Sequence, residues 1–147
     1  MEPFVFDHNK TFTLYGFSKR HEDPSKPYSA TMFELMDKLW GEVRSKGLSH
    51  KGINHVVYDL DQVVFAGIEL TDAPQDDSQL ERREVVLEKY AYCKHIGPYS
   101  QLGQTYERIQ SAIQAAGEQV KAPSLEVYGH WNADESKLET EIYFQLV

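Results

Sequence analysis

The run ATMFELMDKLWGEVRSKG, Ala30 to Gly47, is followed by INHVVYDL, Ile53 to Leu60, and VVFAGIEL, Val63 to Leu70. In the first run Met32, Phe33, Met36, Leu39, Trp40 and Val43 recur at three- and four-residue steps, the spacing of one face of an amphipathic helix. Ser29 stands where an N-cap hydroxyl accepts from first-turn N–H groups, and Gly47 where a helix stops on a left-handed residue. The next two runs meet at Asp61-Gln62, which predicts two strands joined by a tight hairpin. Upstream, KTFTLYGFSKR, Lys10 to Arg20, carries apolar groups on both faces and reads as an inner strand. The order is strand–helix–strand–strand.

The same order recurs downstream. REVVLEKYAYCKHIG, Arg83 to Gly97, predicts one long strand. A helix is expected from Gln101 to Ala116, with Leu102, Tyr106, Ile109 and Ile113 on its apolar stripe and Gly117 closing it. SLEVYGHW, Ser124 to Trp131, reads as a strand, Asn132 to Leu138 as a polar loop, and ETEIYFQLV, Glu139 to Val147, as the closing strand. A shift of 70 places Leu39 on Ile109, Val43 on Ile113, Gly47 on Gly117 and Val57-Tyr58 on Val127-Tyr128. The expectation is a single α+β domain over 1–147: repeat one about 1–70, a linker 71–82 rich in acids, and repeat two about 83–147. Two such units would join their mostly antiparallel sheets edge to edge. Both helices would lie on one face, and the other face would be concave and carry a ligand pocket.

Composition removes several classes of function. With 15 Lys and Arg against 23 Asp and Glu, the net charge of −8 argues against direct nucleic-acid binding, which needs a basic face. The apolar runs fall far short of the ~20 residues of a membrane helix, so no membrane partner is expected. The N-terminal stretch has neither the basic nor the apolar region of a secretory signal. With one cysteine, Cys93, no internal disulfide is possible, and a reduced, cytoplasmic setting is expected. There is no G-x-S-x-G, glycine-rich phosphate loop, H-E-x-x-H or C-x-x-C. The histidines His8, His21, His50, His55, His95 and His130 are scattered, so no metal and no cofactor are expected.

Aromatic residues are abundant: nine Tyr, seven Phe and two Trp. Alternation in the closing strand puts Ile142, Phe144 and Leu146 on one face and Glu141, Tyr143 and Gln145 on the other. The first set should pack under the helices. On the second side, Tyr90 and Tyr92 share a face, as do Val127, Gly129 and Trp131. Spacing alone leaves two readings of Glu141, a carboxylate on a solvated face or one in an aromatic cavity. Phe33, Met36 and Trp40 on the first helix suit a core or a pocket wall, and Tyr99 after Gly97-Pro98 suits a pocket rim or a helix brace.

Lys94-His-Ile-Gly-Pro-Tyr99, then a helix, a proline, Leu125-Glu-Val-Tyr128 and a terminal Thr140-Glu-Ile-Tyr143, resembles the GyrI-like family, the effector-binding domains of AraC- and MerR-type regulators. The chain is similar to stand-alone members, including drug-binding proteins of mobile gene cassettes. The resemblance implies a pocket for hydrophobic, often cationic, compounds. In it Glu141 would meet the positive charge, and Tyr143, Trp131, Tyr90, Tyr92, Tyr99, Trp40, Phe33 and Met36 are the candidate contacts. An unpaired carboxylate in an apolar cavity is costly, and a lipophilic cation relieves that cost while shedding little water. The resemblance implies binding before catalysis. The alternative is a hydrolase of cyclopropane-bearing compounds using Glu141, and the third reading is a protein-interaction module for DNA gyrase or a regulator.

Overall fold

In the computed structural model, which describes residues 4–6, 9–74 and 77–147, the chain runs β1 (Phe4–Phe6), β2 (Lys10–Arg20), α1 (Tyr28–Lys46), β3 (His50–Tyr58), β4 (Val63–Leu70), β5 (Glu81–Leu87), β6 (Tyr90–Ile96), α2 (Leu102–Ala115), β7 (Val120–Tyr128) and β8 (Glu139–Leu146). His8 and part of the 71–82 linker lie outside the described residues. All strand pairs are antiparallel, in one sheet ordered β1-β6-β8-β7-β3-β4-β2-β5. The class is α+β.

Helix α1 forms where the periodicity predicts it, but starts two residues earlier than a Ser29 cap allows. Pro27 occupies the N-cap and no side chain caps the helix. A proline fits there because its missing N–H would be unpaired in any case. Gly47 ends α1 at φ 61°, and Leu48 N–H donates to Val43 O; Gly117 ends α2 at φ 72°, and Glu118 N–H donates to Ile113 O. At these helix ends, and in β3 and β7, the residues correspond at the shift of 70. At the helix starts the correspondence is 74: His21 bonds Thr31 and His95 bonds Thr105. The difference of four residues is about one helical turn, so the longer α1 keeps its buried face unrotated.

The expected long strand over Arg83–Gly97 is two strands, broken at Glu88-Lys89. The reason is a change of phase. Val85 and Leu87 are buried on one side at odd positions, whereas Tyr90 and Tyr92 take the same cluster at even positions. A one-residue slip reverses every side chain, so a continuous strand cannot serve both sets. Strand β5 pairs with β2 and β6 pairs with β8, so the break sends the chain from one half of the sheet to the other.

That crossing dictates the curvature. In a flat sheet, β5 and β6 would lie six strand spacings apart, roughly 29 Å. The two residues joining them span at most about 11 Å. The sheet therefore curls until its ends meet. Gly16 and Gly67 pair across β2 and β4 at this bend, and a Cβ on Gly16 would lie 1.8 Å from Ala66 O. Inside the curl, Phe12, Leu14, Val57, Phe65, Val85, Tyr90, Leu125 and Tyr143 bury one another. Outside it, α1 packs Leu35, Leu39 and Val43 on Val56, Val64 and Ile68, and α2 packs Ile109 and Ile113 on Cys93, Ile142 and Leu146. Val56, Glu126 and Ile142 are cross-strand neighbours, so both helices cover the same face.

Candidate functional site

The centre of that face is β3 against β7, where Val56 is paired with Glu126 between the two helices. A glutamate with 5% exposure must find hydrogen bonds, because a buried anion without them is expelled or protonated. Three tyrosines supply them. Tyr58 donates to Oε1 at 2.7 Å, Tyr128 donates to Oε1 at 2.9 Å, and Tyr106 of α2 donates to Oε2. Burial raises all three phenols above their usual range, and the Glu126 charge adds to it. They therefore act as neutral donors. Among the described residues no basic side chain reaches Glu126, so its charge is hydrogen-bonded but not neutralised.

Tyr128 also lines a cavity of about 460 Å³ that opens between the two helices. Met32, Phe33 and Met36 of α1 form one wall, with Tyr99, Leu102 and Trp131 opposite. Phe33, Tyr99 and Trp131 are 61%, 41% and 78% exposed, so the mouth carries an aromatic rim open to solvent. Two buried histidines brace the segments feeding this cleft. His95 bonds Thr105 Oγ1 through Nδ1 (2.7 Å) and donates from Nε2 to Pro98 O (3.0 Å), fixing the turn that carries Tyr99. His21 bonds Thr31 Oγ1 at 2.7 Å and donates to Lys26 O at 2.8 Å, and its ring stacks on Tyr28.

A second, smaller cavity of about 200 Å³ lies on the inner face, over Val127. Glu141 lines it from β8, with Tyr92 donating to its Oε2 at 2.6 Å and Tyr143 at 3.2 Å. Tyr90 and Tyr92 tilt against Tyr143 at 5.6 and 4.9 Å between ring centroids. Burial, then the Glu141 charge, raises the Tyr143 phenol. His55 of β3 is 3% exposed; its Nδ1–H donates to Ile53 O at 3.1 Å, which leaves Nε2 facing Glu69 Oε1 at 3.5 Å. Burial pushes the His55 imidazole down, against the opposing pull of Glu69.

The residues that the sequence grouped into one pocket are thus divided between two faces. Glu141, Tyr143, Tyr90 and Tyr92 stand together inside the curl. Phe33, Met36, Tyr99 and Trp131 line the outer cleft. Trp131 departs from the alternation because β7 ends at Tyr128, and residues beyond a strand no longer follow its pleat. Trp40 stands behind the cleft, donating from Nε1 to Asn54 Oδ1 at 2.9 Å. Glu126 was not singled out. Its signal was legible: one acid at the middle of a strand, with Tyr58 and Tyr128 at equivalent places on the repeat. Among the described residues no group of three His, Cys, Asp or Glu side chains is placed to hold a metal ion, and no helix is long and apolar enough to cross a membrane.

A family model described as a GyrI-like small molecule binding domain matches residues 12–147. No curated protein matches the chain. Among solved structures, the C-terminal domain of EcmrR is similar with a TM-score of 0.70 at 19% identity, covering 100% of this chain and 99% of that one. Against EcmrR in its DNA complex the TM-score is 0.69 at 18% identity, over 98% of this chain but only 57% of that chain. SAV2435, solved bound to tetraphenylphosphonium, has a TM-score of 0.66 at 20% identity, over 100% of this chain and 94% of that one. An integron cassette protein from the mobile metagenome of Vibrio cholerae has a TM-score of 0.65 at 18% identity, over 99% and 96% of the two chains. At these identities the structural likeness is one of fold.

Proposed function

The chain belongs to the GyrI-like family of small-molecule binding domains, and on that premise we propose that the cleft between α1 and α2 captures bulky hydrophobic cations, with Glu126 as the attracting charge. The observation that carries this reading is the chemistry around Glu126. Its carboxylate is buried, held by three neutral hydroxyls and left without a basic partner among the described residues. A small hydrated ion gains little there, because it would lose its water shell. A large cation with diffuse charge loses little water and gains contact with exposed rings. The cleft volume falls within the range of small-molecule sites. SAV2435, of the same fold, was solved with a cation of this class, which supports the same ligand class here. In this reading the protein is a drug sensor or a sequestering protein.

Tryptophan fluorescence tests it. The chain has two tryptophans, of which Trp131 lines the cleft and Trp40 stands behind it. Tetraphenylphosphonium should quench emission saturably, tetramethylammonium should not, and Trp131→Phe should remove most of the change. A response that stays linear in concentration, or one unaltered by Trp131→Phe, refutes cleft binding.

A further inference from the structure

The inner-face cavity differs in kind from the outer cleft. The cleft is lined mostly by apolar and aromatic side chains, with Glu126 behind its Tyr128 wall. The inner cavity carries Lys10, Lys51, Glu69 and Glu141, two charges of each sign, together with His55 and Tyr143. Two of these groups, Glu141 and Lys10, lack a full complement among the described residues. Glu141 accepts both tyrosine hydroxyls on Oε2, and its Oε1 receives no donor. His55 donates from Nδ1 to the Ile53 carbonyl, and its Nε2 stands 3.5 Å from Glu69 Oε1. Lys51 is paired with Glu69 Oε2 at 3.1 Å, whereas Lys10 has no anion partner among the described residues and lies 5.5 Å from the centroid of the Phe12 ring.

We infer that this cavity is a second binding site, separate from the outer cleft, for a small zwitterion of the α-amino-acid class, its ammonium facing Glu141 and its carboxylate facing Lys10. Electroneutrality selects this class. The lining charges cancel in number, and Lys51 and Glu69 already pair, which leaves one negative and one positive group, Glu141 and Lys10, to meet a ligand. A molecule carrying both charges in one compact body satisfies each end locally. A metal ion fits poorly, since His55 and Glu141 stand on strands either side of β7, with Val127 between them.

Amide NMR titration of the whole chain provides the test, with glycine, alanine, leucine and phenylalanine as probes and ethylamine and acetate as single-charge controls. Amino acids should shift the signals around Lys10, His55 and Glu141 saturably, with the tightest Kd near ~1 mM or below, and leave those around Tyr99 and Trp131 in place. Glu141→Gln and Lys10→Met should each weaken binding by about tenfold or more, as expected for loss of a charge-assisted contact. Lys10 is exposed, so its substitution leaves the fold intact. Tetraphenylphosphonium should not compete. The inference is overturned if no amino acid gives a saturable shift, if ethylamine or acetate binds as well, or if both variants bind as the parent does. None of these outcomes touches the outer cleft, which is read through Trp131.

Discussion

Replacing Glu126 by Gln removes one charge and almost nothing else. The amide keeps a carbonyl oxygen for the Tyr58 and Tyr128 hydroxyls, and the Tyr106 hydroxyl can rotate to accept from the new NH₂. The fold should therefore survive, which Glu126→Ala would not guarantee, since it strands three buried donors. Tyr128 is both a cleft wall and a Glu126 ligand at 2.9 Å. A cation stacked on that ring lies about 7 Å from the carboxylate, which at an effective dielectric of about 20 corresponds to about 2.4 kcal/mol, or roughly 50-fold in affinity. Calorimetric titration with tetraphenylphosphonium should show that loss in Glu126→Gln. The neutral triphenylphosphine oxide should bind parent and variant alike. Equal affinity of the cation for both proteins, or an equal loss for the neutral compound, would refute the electrostatic role of Glu126.

Other outcomes follow from the same contacts. Burial raises the phenols of Tyr58, Tyr90, Tyr92, Tyr106, Tyr128 and Tyr143, whereas in the unfolded chain they ionise near their ordinary value of about 10. The folded state favours the neutral form, so their contribution to stability is constant below that pH and falls above it. Phenolate absorbance of these six should appear in one step with alkaline unfolding, and a gradual rise in the folded protein would contradict the buried network. His95→Ala removes one buried and one partly buried hydrogen bond and should cost about 2–3 kcal/mol by urea denaturation, while loosening Tyr99 and weakening cation binding. Gly16→Ala drives a Cβ into the Ala66 carbonyl and should cost about 3 kcal/mol or more, with loss of the β2–β4 pairing visible in hydrogen exchange.

Much of this architecture was legible before folding. Three- and four-residue steps located both helices, Gly47 and Gly117 marked their ends, and alternation in β8 assigned Ile142 and Leu146 to the helices and Glu141 and Tyr143 to the other side. These are local properties, because a helix or strand period follows from the backbone geometry of neighbouring residues. The break at Glu88-Lys89 was legible too, as the change from odd to even burial between Leu87 and Tyr90, but a run of β-formers hides a change of phase unless both faces are followed.

What the chain alone determined, then, was which residues share a face. Which face holds which cavity was decided only in three dimensions. Alternation cannot say what covers a face, and here the covering comes from distant segments: α1 and α2 roof Glu126, while β5 and β6 curl the sheet around Glu141. Trp131 and Tyr99 lie outside the regular elements that carry a period, so their meeting with Phe33 and Met36 depends on where the helices pack. The carboxylate that the closing strand made conspicuous and the one that three tyrosines enclose are on opposite sides of the same sheet, because successive strand residues point to opposite faces and only the packing assigns each face its surroundings.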